Sequence, residues 1–390
     1  MCIRDRCIPS TSTLSFNNCE NINIYNSRFY DILETYVIRF STCNFSKVYN
    51  CYIEKYSYIG IANANSGNNC DFSHNTLIDL YKDPSYVNTY PIILNSNEEI
   101  PTASTPMGEN LYATYNYISN STVLWESIDA HGGTNIVIIG NVCNNVYDGI
   151  ACFGSYVDPQ KTFNINNMII ANNIINCATE GDKLANAAHG ISADGTNVII
   201  DSNLIINAGA LSSDGNAAGI YSRDNNNIKI TNNILKNCRD RGIFLGVSDG
   251  AYIANNIIDG VPSSSTGETF CLFLAQPPSG QVFKNTFIEN NYMSGAQHFW
   301  QNPINLRDTD YNFYICYNNN KYIGSGDFVR APQCKPDATT STTIASIQCA
   351  RVGDIIYNST PATGQPWAWV CITAPTSNAL AVFKPIATIQ

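Results

Sequence analysis

Acidic and histidine side chains recur at fixed distances from an isoleucine in the middle of the chain. Glu126 and Asp148 each stand two residues before such an isoleucine, and Asp129 and His131 follow the first of these isoleucines. His189 stands two residues before a third isoleucine. Two neighbouring carboxyl groups can act as acid and base on a glycosidic bond, because their repulsion raises the pKa of one of them. We therefore predict that Glu126, Asp129, His131, Asp148 and His189 are catalytic residues.

These isoleucines belong to a phrase that is repeated along the chain. Its first part is a Gly-Ile segment, as in DGIACFG at 148–154 and HGISADG at 189–195. Its second part is an apolar segment that ends in asparagine, as in NIVIIGN at 135–141 and NMIIANN at 167–173. A short third apolar segment follows each copy, and the shortest step between copies is 22 residues. The isoleucines of the first segment are Ile128, Ile150, Ile191, Ile220 and Ile243.

A period of about 22 residues with three short apolar segments is typical of a solenoid, in which each coil buries its apolar side chains by stacking on the next. We predict an all-β chain that forms a right-handed parallel β-helix. Stacked strands lie about 4.8 Å apart, so equivalent residues of successive coils form columns. One column carries asparagines whose amides can hydrogen-bond from coil to coil: Asn141, Asn173, Asn203, Asn233 and Asn256.

The columns also predict a substrate surface beside the catalytic residues. Strand alternation turns the positions one and three residues after each isoleucine outward. Aromatic side chains there can stack on sugar rings, and arginines can neutralise a uronate carboxylate. His74 and His298 are predicted to lie outside these columns. The predicted substrate-binding residues are Trp125, Tyr147, Asp194, Tyr221, Arg223 and Arg241.

The chain divides into four predicted segments. Residues 1–13 begin with MCIRDR, which resembles adaptor-derived sequence, and form a non-native or disordered leader. Residues 14–325 form the β-helix, with a long excursion from one coil at 81–111 and polar insertions at 178–188 and 210–218 as walls of a binding groove. A Pro/Thr-rich linker follows at 326–343, and 344–390 form a small β-structured C-terminal module.

Composition excludes several classes of protein. Hydrophobic residues make up 44% of the chain and charged residues 13%, which is typical of a folded protein. The formal net charge of -10 disfavours binding to nucleic acid, and no apolar run is long enough for membrane insertion. The cysteines fall at apolar strand positions and lack zinc-site spacing, so we predict buried thiols, no metal site and no cofactor. A calcium ion held by surface acids is left open.

The coil phrase resembles the pectate-lyase-like superfamily of right-handed β-helix proteins. Glu126, Asp148 and the His189-Gly190 pair are similar to the polygalacturonase order of acids followed by His-Gly. Asp129-Ala130-His131 resembles part of the Asp-Pro-His-Asp segment of mannuronan epimerases and related lyases. The C-terminal segment GDIIYN...WAWVC at 353–371 looks like the modules that end some phage tailspikes.

These resemblances imply an enzyme that degrades an extended polysaccharide, as a hydrolase or a lyase, in the manner of a tailspike depolymerase. They imply a polysaccharide partner, an extracellular or virion-associated location and assembly as a homotrimer. In the hydrolase version Glu126 and Asp148 share the acid and base roles. In the lyase version His131 or His189 abstracts a proton. Two alternatives stay open, a noncatalytic glycan-binding tail protein or adhesin and a uronate C5-epimerase.

Overall fold

A computed structural model gives the structure of the chain. The residues it describes are 14–33, 36–64, 67–81, 89–96, 107–154, 164–179, 189–209, 217–263, 268–275, 283, 285–301, 315–324, 327–329, 355–357, 363, 366–373 and 382–388. The predicted leader, most of the predicted linker and most of the predicted groove-wall insertions lie outside these residues. Within them no helix is long and apolar enough to cross a membrane.

The fold is the predicted parallel β-helix. Thirty strands belong to one parallel sheet that winds around a single core, and each coil contributes one strand to each of three columns, which we name faces A, B and C. Each strand pairs with the strand of the same face in the next coil. Four long strands contribute to more than one face: β12 (Tyr117–His131), β14 (Val142–Phe153), β20 (Ala218–Thr231) and β22 (Arg241–Ala254).

Face A carries the Gly-Ile segments, so it presents the predicted catalytic columns. It includes the later parts of β12 and β14 and the first parts of β20 and β22. Its other strands are β1 (Leu14–Asn17), β4 (Tyr36–Ser41), β7 (Ile59–Ala64), β10 (Tyr90–Ser96), β17 (His189–Ala193), β24 (Phe270–Leu274), β27 (His298–Gln301) and β30 (Asp327–Val329).

Face B carries the apolar segments that end in asparagine, and face C carries the short third segments. Face B also includes the later parts of β20 and β22, and face C the first parts of β12 and β14. The other strands of face B are β2 (Asn23–Tyr25), β5 (Lys47–Tyr49), β8 (Cys70–Ser73), β11 (Glu109–Thr114), β13 (Gly133–Ile139), β15 (Ile165–Ala171), β18 (Gly195–Asp201), β25 (Thr286–Glu289) and β28 (Ile315–Asn318). Those of face C are β3 (Arg28–Ile32), β6 (Tyr52–Tyr56), β9 (Thr76–Leu80), β16 (Ile174–Cys177), β19 (Leu204–Ile206), β21 (Ile234–Lys236), β23 (Ile257–Asp259), β26 (Tyr292–Ser294) and β29 (Lys321–Ile323).

The interior is a continuous stack of aliphatic side chains, and the predicted isoleucine column is part of it. Cysteines fill small positions in the same core, as in Cys143, Cys152 and Cys238, which are buried and free. Burial raises the pKa of Cys70, Cys143 and Cys271 to about 12, so these side chains stay as neutral thiols. The prediction of buried thiols at these strand positions is confirmed.

An asparagine ladder stabilises the corner between faces B and C. The Oδ1 atom of Asn173 accepts hydrogen bonds from the backbone and side-chain nitrogens of Asn141, both at 2.9 Å. The Nδ2 atom of Asn173 donates to the Ile138 carbonyl at 3.0 Å and to Asn203 Oδ1 at 2.9 Å. The predicted ladder is confirmed and is longer than predicted, since it also includes Asn75, Asn116, Asn291 and Asn320.

Each described corner between faces B and C consists of two residues. The first residue adopts a positive φ, as in Asn172 (56°) and Asn232 (56°), a conformation that asparagine tolerates better than most residues. Segments of variable length join the other faces, as in 155–163 between faces A and B and 180–188 between faces C and A. Within the described coils, insertions therefore border face A and never interrupt the corner between B and C.

Two details differ from the sequence predictions. The segment 81–111 was predicted to be a long excursion, yet it contains β10, which pairs with β7 and β12 and belongs to face A. The strand β30 extends the parallel sheet to Val329, four residues beyond the predicted end of the β-helix. The C-terminal module is an antiparallel sheet of β31 (Ile355–Tyr357), β32 (Pro366–Thr373) and β33 (Val382–Thr388). The boundaries of the predicted segments stay predictions.

Candidate active site

Face A aligns the predicted catalytic columns as the spacing requires. Glu126 pairs with Asp148, and Ile128 pairs with Ile150 in the same ladder. The pairing continues through Ile191 in the next coil and onward to β20 and β22. The positions two residues before and one and three residues after each isoleucine therefore stack across coils. The register of the repeat was predictable because the isoleucine column is the buried one.

Glu126 lies where its carboxyl group binds a proton more tightly than usual. Burial raises the pKa of Glu126 well above its usual value, and the charges of Asp129 and Asp148 raise it further. The side chain remains partly accessible to solvent. A carboxyl group that is protonated but reachable has the properties of a general acid.

Asp129 and His131 form a pair next to Glu126 on the same strand. The Asp129 carboxylate is fully buried, and its Oδ2 atom lies 2.9 Å from His131 Nε2. Burial alone would lower the pKa of His131, but the charge of Asp129 and its hydrogen bond raise it above the usual value. The imidazole ring keeps 16% of its surface exposed. Asp129 thus fixes the orientation of an imidazole ring whose edge remains partly exposed.

Asp148 connects this strand to the next coil. One carboxylate oxygen of Asp148 accepts a hydrogen bond from the backbone N–H of His189. The backbone carbonyl oxygen of Asp148 accepts a hydrogen bond from Ser127 Oγ at 2.9 Å. The residue is buried, with 5% of its surface exposed. Asp148 therefore stabilises the stacking of the coils in addition to any role in chemistry.

His189 has a different character from His131. Burial and the charges of Arg241 and Arg223 lower its pKa to about 3, so the imidazole is neutral at physiological pH. Its ring stacks on Tyr221, with centroids 4.4 Å apart and an interplanar angle of 11°. A base with so low a pKa is poorly suited to proton transfer near neutrality. The structure favours a stacking role for His189 over the predicted catalytic one.

An aromatic stack continues from His189 along face A. Tyr221 stacks on Phe244 at 4.5 Å, and Phe244 stacks on Phe273 at 5.4 Å. The Arg241 guanidinium lies 4.2 Å from the centroid of Phe273 and 5.1 Å from that of Phe244. Arginine over aromatic rings is a favourable arrangement, so the stack holds Arg241 in a defined position.

Asp194 and Arg223 contact each other at the edge of this stack. The Asp194 Oδ1 atom accepts the backbone N–H of Arg223 at 2.6 Å, and its Oδ2 lies 3.7 Å from Arg223 Nε. Burial raises the pKa of Asp194, while its contacts with Arg223 oppose the rise. The Arg223 side chain is 53% exposed. Arg223 is thus open to a ligand, whereas Asp194 mainly positions the neighbouring coil.

Trp125 and Tyr147 lie beside Glu126 and Asp148. Trp125 is half-buried, and its ring meets Tyr147 edge to face with centroids 6.4 Å apart at 86°. Tyr147 is fully buried, so the predicted stacking of a sugar on Tyr147 does not agree with its position. Of this pair, Trp125 is the accessible ring, and Tyr147 supports it.

The sequence analysis missed aromatic residues at both ends of face A. Tyr36, Tyr58 and Tyr90 surround a small apolar cluster on the coils that precede Glu126. The strands of Tyr36 and Tyr90 lack the Gly-Ile phrase, whereas the strand after Tyr58 carries it as Gly60-Ile61 and was not recognised. His298 was predicted to lie outside the columns, and this was wrong, because it pairs with Phe270, which pairs with Arg241. The segment FCLFL at 270–274 hides the repeat by replacing Gly-Ile with Cys-Leu.

The coil spacing separates the acids from the arginines. Three steps of the ladder lead from the His131 strand to the Arg223 strand, and four lead to the Arg241 strand. At about 4.8 Å a step, these strands lie about 14 Å and about 19 Å from the strand of Glu126 and Asp129, and about 10 Å and about 14 Å from that of Asp148. The acids and arginines therefore face different sugar units of an extended chain.

Comparison with protein families agrees with the β-helix. The family described as "Periplasmic copper-binding protein (NosD)" matches residues 103–321, which is more than half of the chain. The chain belongs to the NosD family. The matched region of this NosD-family chain includes Glu126, Asp148 and His189. No curated protein matches the sequence.

Several solved structures share part of the fold. The tailspike protein of E. coli bacteriophage HK620 in complex with pentasaccharide has 12% identity and a TM-score of 0.48, with 93% of this chain and 72% of that chain covered. The catalytic domain of a GH87 α-1,3-glucanase in complex with tetrasaccharides has 11% identity and a TM-score of 0.41, with 81% and 60% covered. The Streptococcus pneumoniae surface adhesin PfbA has 12% identity and a TM-score of 0.34, with 96% and 71% covered. The chain thus spans less than two thirds of the glucanase structure, and TM-scores this low carry no functional argument.

The described residues do not fit the copper of the family's description. No three histidine, cysteine, aspartate or glutamate side chains among them converge as metal ligands. The cysteines whose pKa burial raises to about 12 are protonated, whereas copper binds the thiolate. His74 stacks against Tyr115 and His189 against Tyr221, so these two rings lie in different aromatic stacks. We derive no chemistry from copper in the described part of this chain.

Proposed function

We propose that this chain is a glycoside hydrolase that cleaves an extended polysaccharide bound along face A. The observation that carries the proposal is the position of Glu126, a partly accessible carboxyl group beside the buried Asp129 and the coil-linking Asp148. Burial raises the pKa of Glu126, and these two carboxylates raise it further. Asp148 also links two coils, but burying three carboxyl groups in one patch is unfavourable without a function.

The chemistry needs one proton donor and one carboxylate. Glu126 gives its proton to the glycosidic oxygen, so the bond from that oxygen to the anomeric carbon breaks as the leaving sugar becomes an alcohol. Asp148 takes a proton from the water that attacks the anomeric carbon, or attacks that carbon itself. His131, held by Asp129, donates a hydrogen bond to a sugar hydroxyl.

The rest of face A suits a long substrate. Aromatic rings lie on both sides of the acids along the helix axis, with Tyr36, Tyr58 and Tyr90 before them and Tyr221 and Phe273 after them. Sugar rings pack well on such surfaces, and one sugar unit has about the length of one coil step. We infer that successive sugars lie over successive coils.

The geometry favours a hydrolase over a lyase or a C5-epimerase. Both of those reactions remove a proton beside a uronate carboxylate, which a nearby cation must neutralise. The strands of Arg223 and Arg241 lie about 14 Å and about 19 Å from the strand of Glu126, so neither arginine can neutralise a carboxylate at Glu126. The Asp129 and Asp148 carboxylates would also repel a uronate bound there. We therefore propose an uncharged sugar at the cleaved bond.

The location follows from the same proposal. The description of the NosD family is periplasmic, and structural and surface polysaccharides of cells lie outside the cytoplasm. We propose that the chain works outside the cytoplasm, in the periplasm or beyond it. The predicted extracellular or virion-associated location is one case of this proposal.

The test is a panel of neutral and uronate-containing polysaccharides incubated with the full chain. New reducing ends without the ultraviolet absorbance of an unsaturated uronate indicate a hydrolase, and reducing ends with it indicate a lyase. The variant Glu126→Gln should lose activity about a thousandfold, because an amide cannot donate the proton. Glu109→Gln is the matched control, since Glu109 is exposed on face B of the same coil.

Each other outcome contradicts the proposal. Binding of a glycan without turnover, by both the unmodified chain and Glu126→Gln, would indicate an adhesin or tail protein. Conversion of one uronate epimer into another, followed by proton NMR without chain cleavage, would indicate the epimerase. Equal activity of Glu126→Gln and Glu109→Gln would remove Glu126 from the mechanism.

A further inference from the structure

Face C presents an uncharged row of apolar side chains to solvent. Its members are the first residues of successive face C strands, and each pairs with the next. Tyr117, Ile174 and Ile257 expose 42%, 44% and 40% of their surface. We name this set the apolar row: Tyr117, Val142, Ile174, Leu204, Ile234, Ile257 and Tyr292.

A shorter apolar row lies on the adjoining face B. Tyr112, Val137, Ile169 and Ile199 pair in succession and point outward between buried residues. The last two residues of each face B strand and the two-residue corner with its asparagine ladder separate the two rows, and Asp201 is the charged residue among them. Six steps of about 4.8 Å make the apolar row about 29 Å long, and the two rows together expose on the order of 500 Å².

The corner between these rows carries no insertion. Each described corner between faces B and C has two residues. Charged side chains are also absent from the apolar row until Lys321, which follows Tyr292 in the pairing. A straight partner can therefore lie along this corner and contact the apolar row.

We propose that a second copy of this chain packs on this surface. A straight row with a repeat of about 4.8 Å matches another row with the same repeat, so side chains of two parallel-packed β-helices can interdigitate along their length. Two chains that each carry a net charge of -10 repel one another, and an uncharged contact avoids placing like charges together.

The area agrees with a stable contact. The largest apolar patch of a typical monomer is about 300–600 Å² and is often functional, and a stable interface buries about 800 Å² on each partner. The two rows supply more than half of that area as an apolar centre. Polar residues beside the row, such as Asn144 and Lys236, supply a rim. The face therefore has the composition of an interface centre and the dimensions of one.

The test is sedimentation velocity of the full chain over a wide range of concentration. We expect the unmodified chain to associate, and the double variant Ile174→Asp with Ile257→Asp to weaken association about 100-fold or more, because it places unpaired charges in the contact. Leu33→Asp is the matched control, since Leu33 is 45% exposed but lies outside both rows. It should associate as the unmodified chain does.

Two results would overturn the proposal. One is a chain that stays monomeric at all concentrations, which would leave the face to another partner. The other is association that the aspartates do not weaken, which would place the contact elsewhere, for example in the C-terminal module. Circular dichroism checks that the variants fold. If they do not, Ile174→Thr with Ile257→Thr keeps β-branched residues, and carbene footprinting of the unmodified chain measures whether the row becomes protected as concentration rises.

Discussion

The asparagine ladder and the candidate active site bury polar groups in opposite ways. In the ladder, Asn173 uses its amide oxygen and nitrogen in hydrogen bonds to three other residues, all at 3.0 Å or less. On face A, the buried atoms Asp129 Oδ1, His189 Nδ1 and Ser192 Oγ have no hydrogen-bond partner among the described residues. A satisfied buried amide stabilises a fold, whereas an unsatisfied buried group costs free energy.

This difference separates scaffold from function within one repeat. The coils contribute a corner whose buried amides are fully hydrogen-bonded and, on face A, a surface where some buried polar atoms have no hydrogen-bond partner among the described residues. Unsatisfied polar groups persist in native proteins where a ligand or a reaction needs them. The corner between B and C therefore keeps the coils in register, and face A uses that register to assemble its side chains.

The largest expected effect tests whether the candidate active site is independent of the apolar row on the other side of the coils. Glu126→Gln should lose about a thousandfold in turnover and associate as the unmodified chain does. The double variant Ile174→Asp with Ile257→Asp should lose association and keep its turnover per chain within about twofold, because additive effects are expected of distant sites. Activity and sedimentation of both variants are measured side by side. If the double variant loses turnover when it dissociates, the candidate active site and the apolar row act together.

The second effect concerns the ladder. Asn173→Ala leaves the backbone N–H of Asn141 and the carbonyl of Ile138 buried without partners, and should cost about 3 kcal/mol of unfolding free energy. Asn144→Ala removes one half-buried hydrogen bond, which Asn144 Oδ1 accepts from Asn176 Nδ2, and should cost less than about 1 kcal/mol. Urea unfolding followed by circular dichroism measures both. Equal losses of unfolding free energy would mean that the contribution of these hydrogen bonds does not depend on their burial.

The third effect is a shift in pH dependence. Burial is the main cause of the raised pKa of Glu126, and the Asp129 charge adds to it. Because activity needs protonated Glu126, it should fall as pH rises through that pKa. Asp129→Asn removes one charge, so this fall should move to lower pH. The profile of kcat/KM against pH measures the shift, with Asp249→Asn on face B as control. An unmoved profile would assign the fall to another group.

The smallest effect is on stability. A carboxyl group whose pKa is raised by folding binds its proton more tightly in the folded state, so stability falls as pH rises above the unfolded value of 4.5. Glu126→Gln removes this cost. Its unfolding midpoint should exceed that of the unmodified chain near neutral pH, and the two should converge below about pH 4, where Glu126 is protonated in both states. A difference that is independent of pH would argue against the raised pKa.

Much of the fold could be predicted because each coil repeats the same physical requirement. An isoleucine at each inward position and an asparagine at each corner gave the columns, and the pairing of Ile128 with Ile150 and of Asn141 with Asn173 agrees with them. Coils that lack the phrase were harder to predict. Tyr90 and His298 went unrecognised because their strands have no Gly-Ile signal.

The sequence by itself determined the winding of the chain, because period, strand alternation and the asparagine corner are local properties that every coil repeats. It also determined which residues share a column. Only the tertiary structure decided what those residues can do. Trp125 and Tyr147 are both aromatic, and each directly precedes one of the two paired acids. Tyr147 is nevertheless buried, whereas Trp125 is partly accessible. His131 and His189 have pKa values that move in opposite directions, because one lies beside the Asp129 carboxylate and the other near two arginines. Burial and the charges of neighbouring coils set these properties, and both depend on residues far apart in the chain.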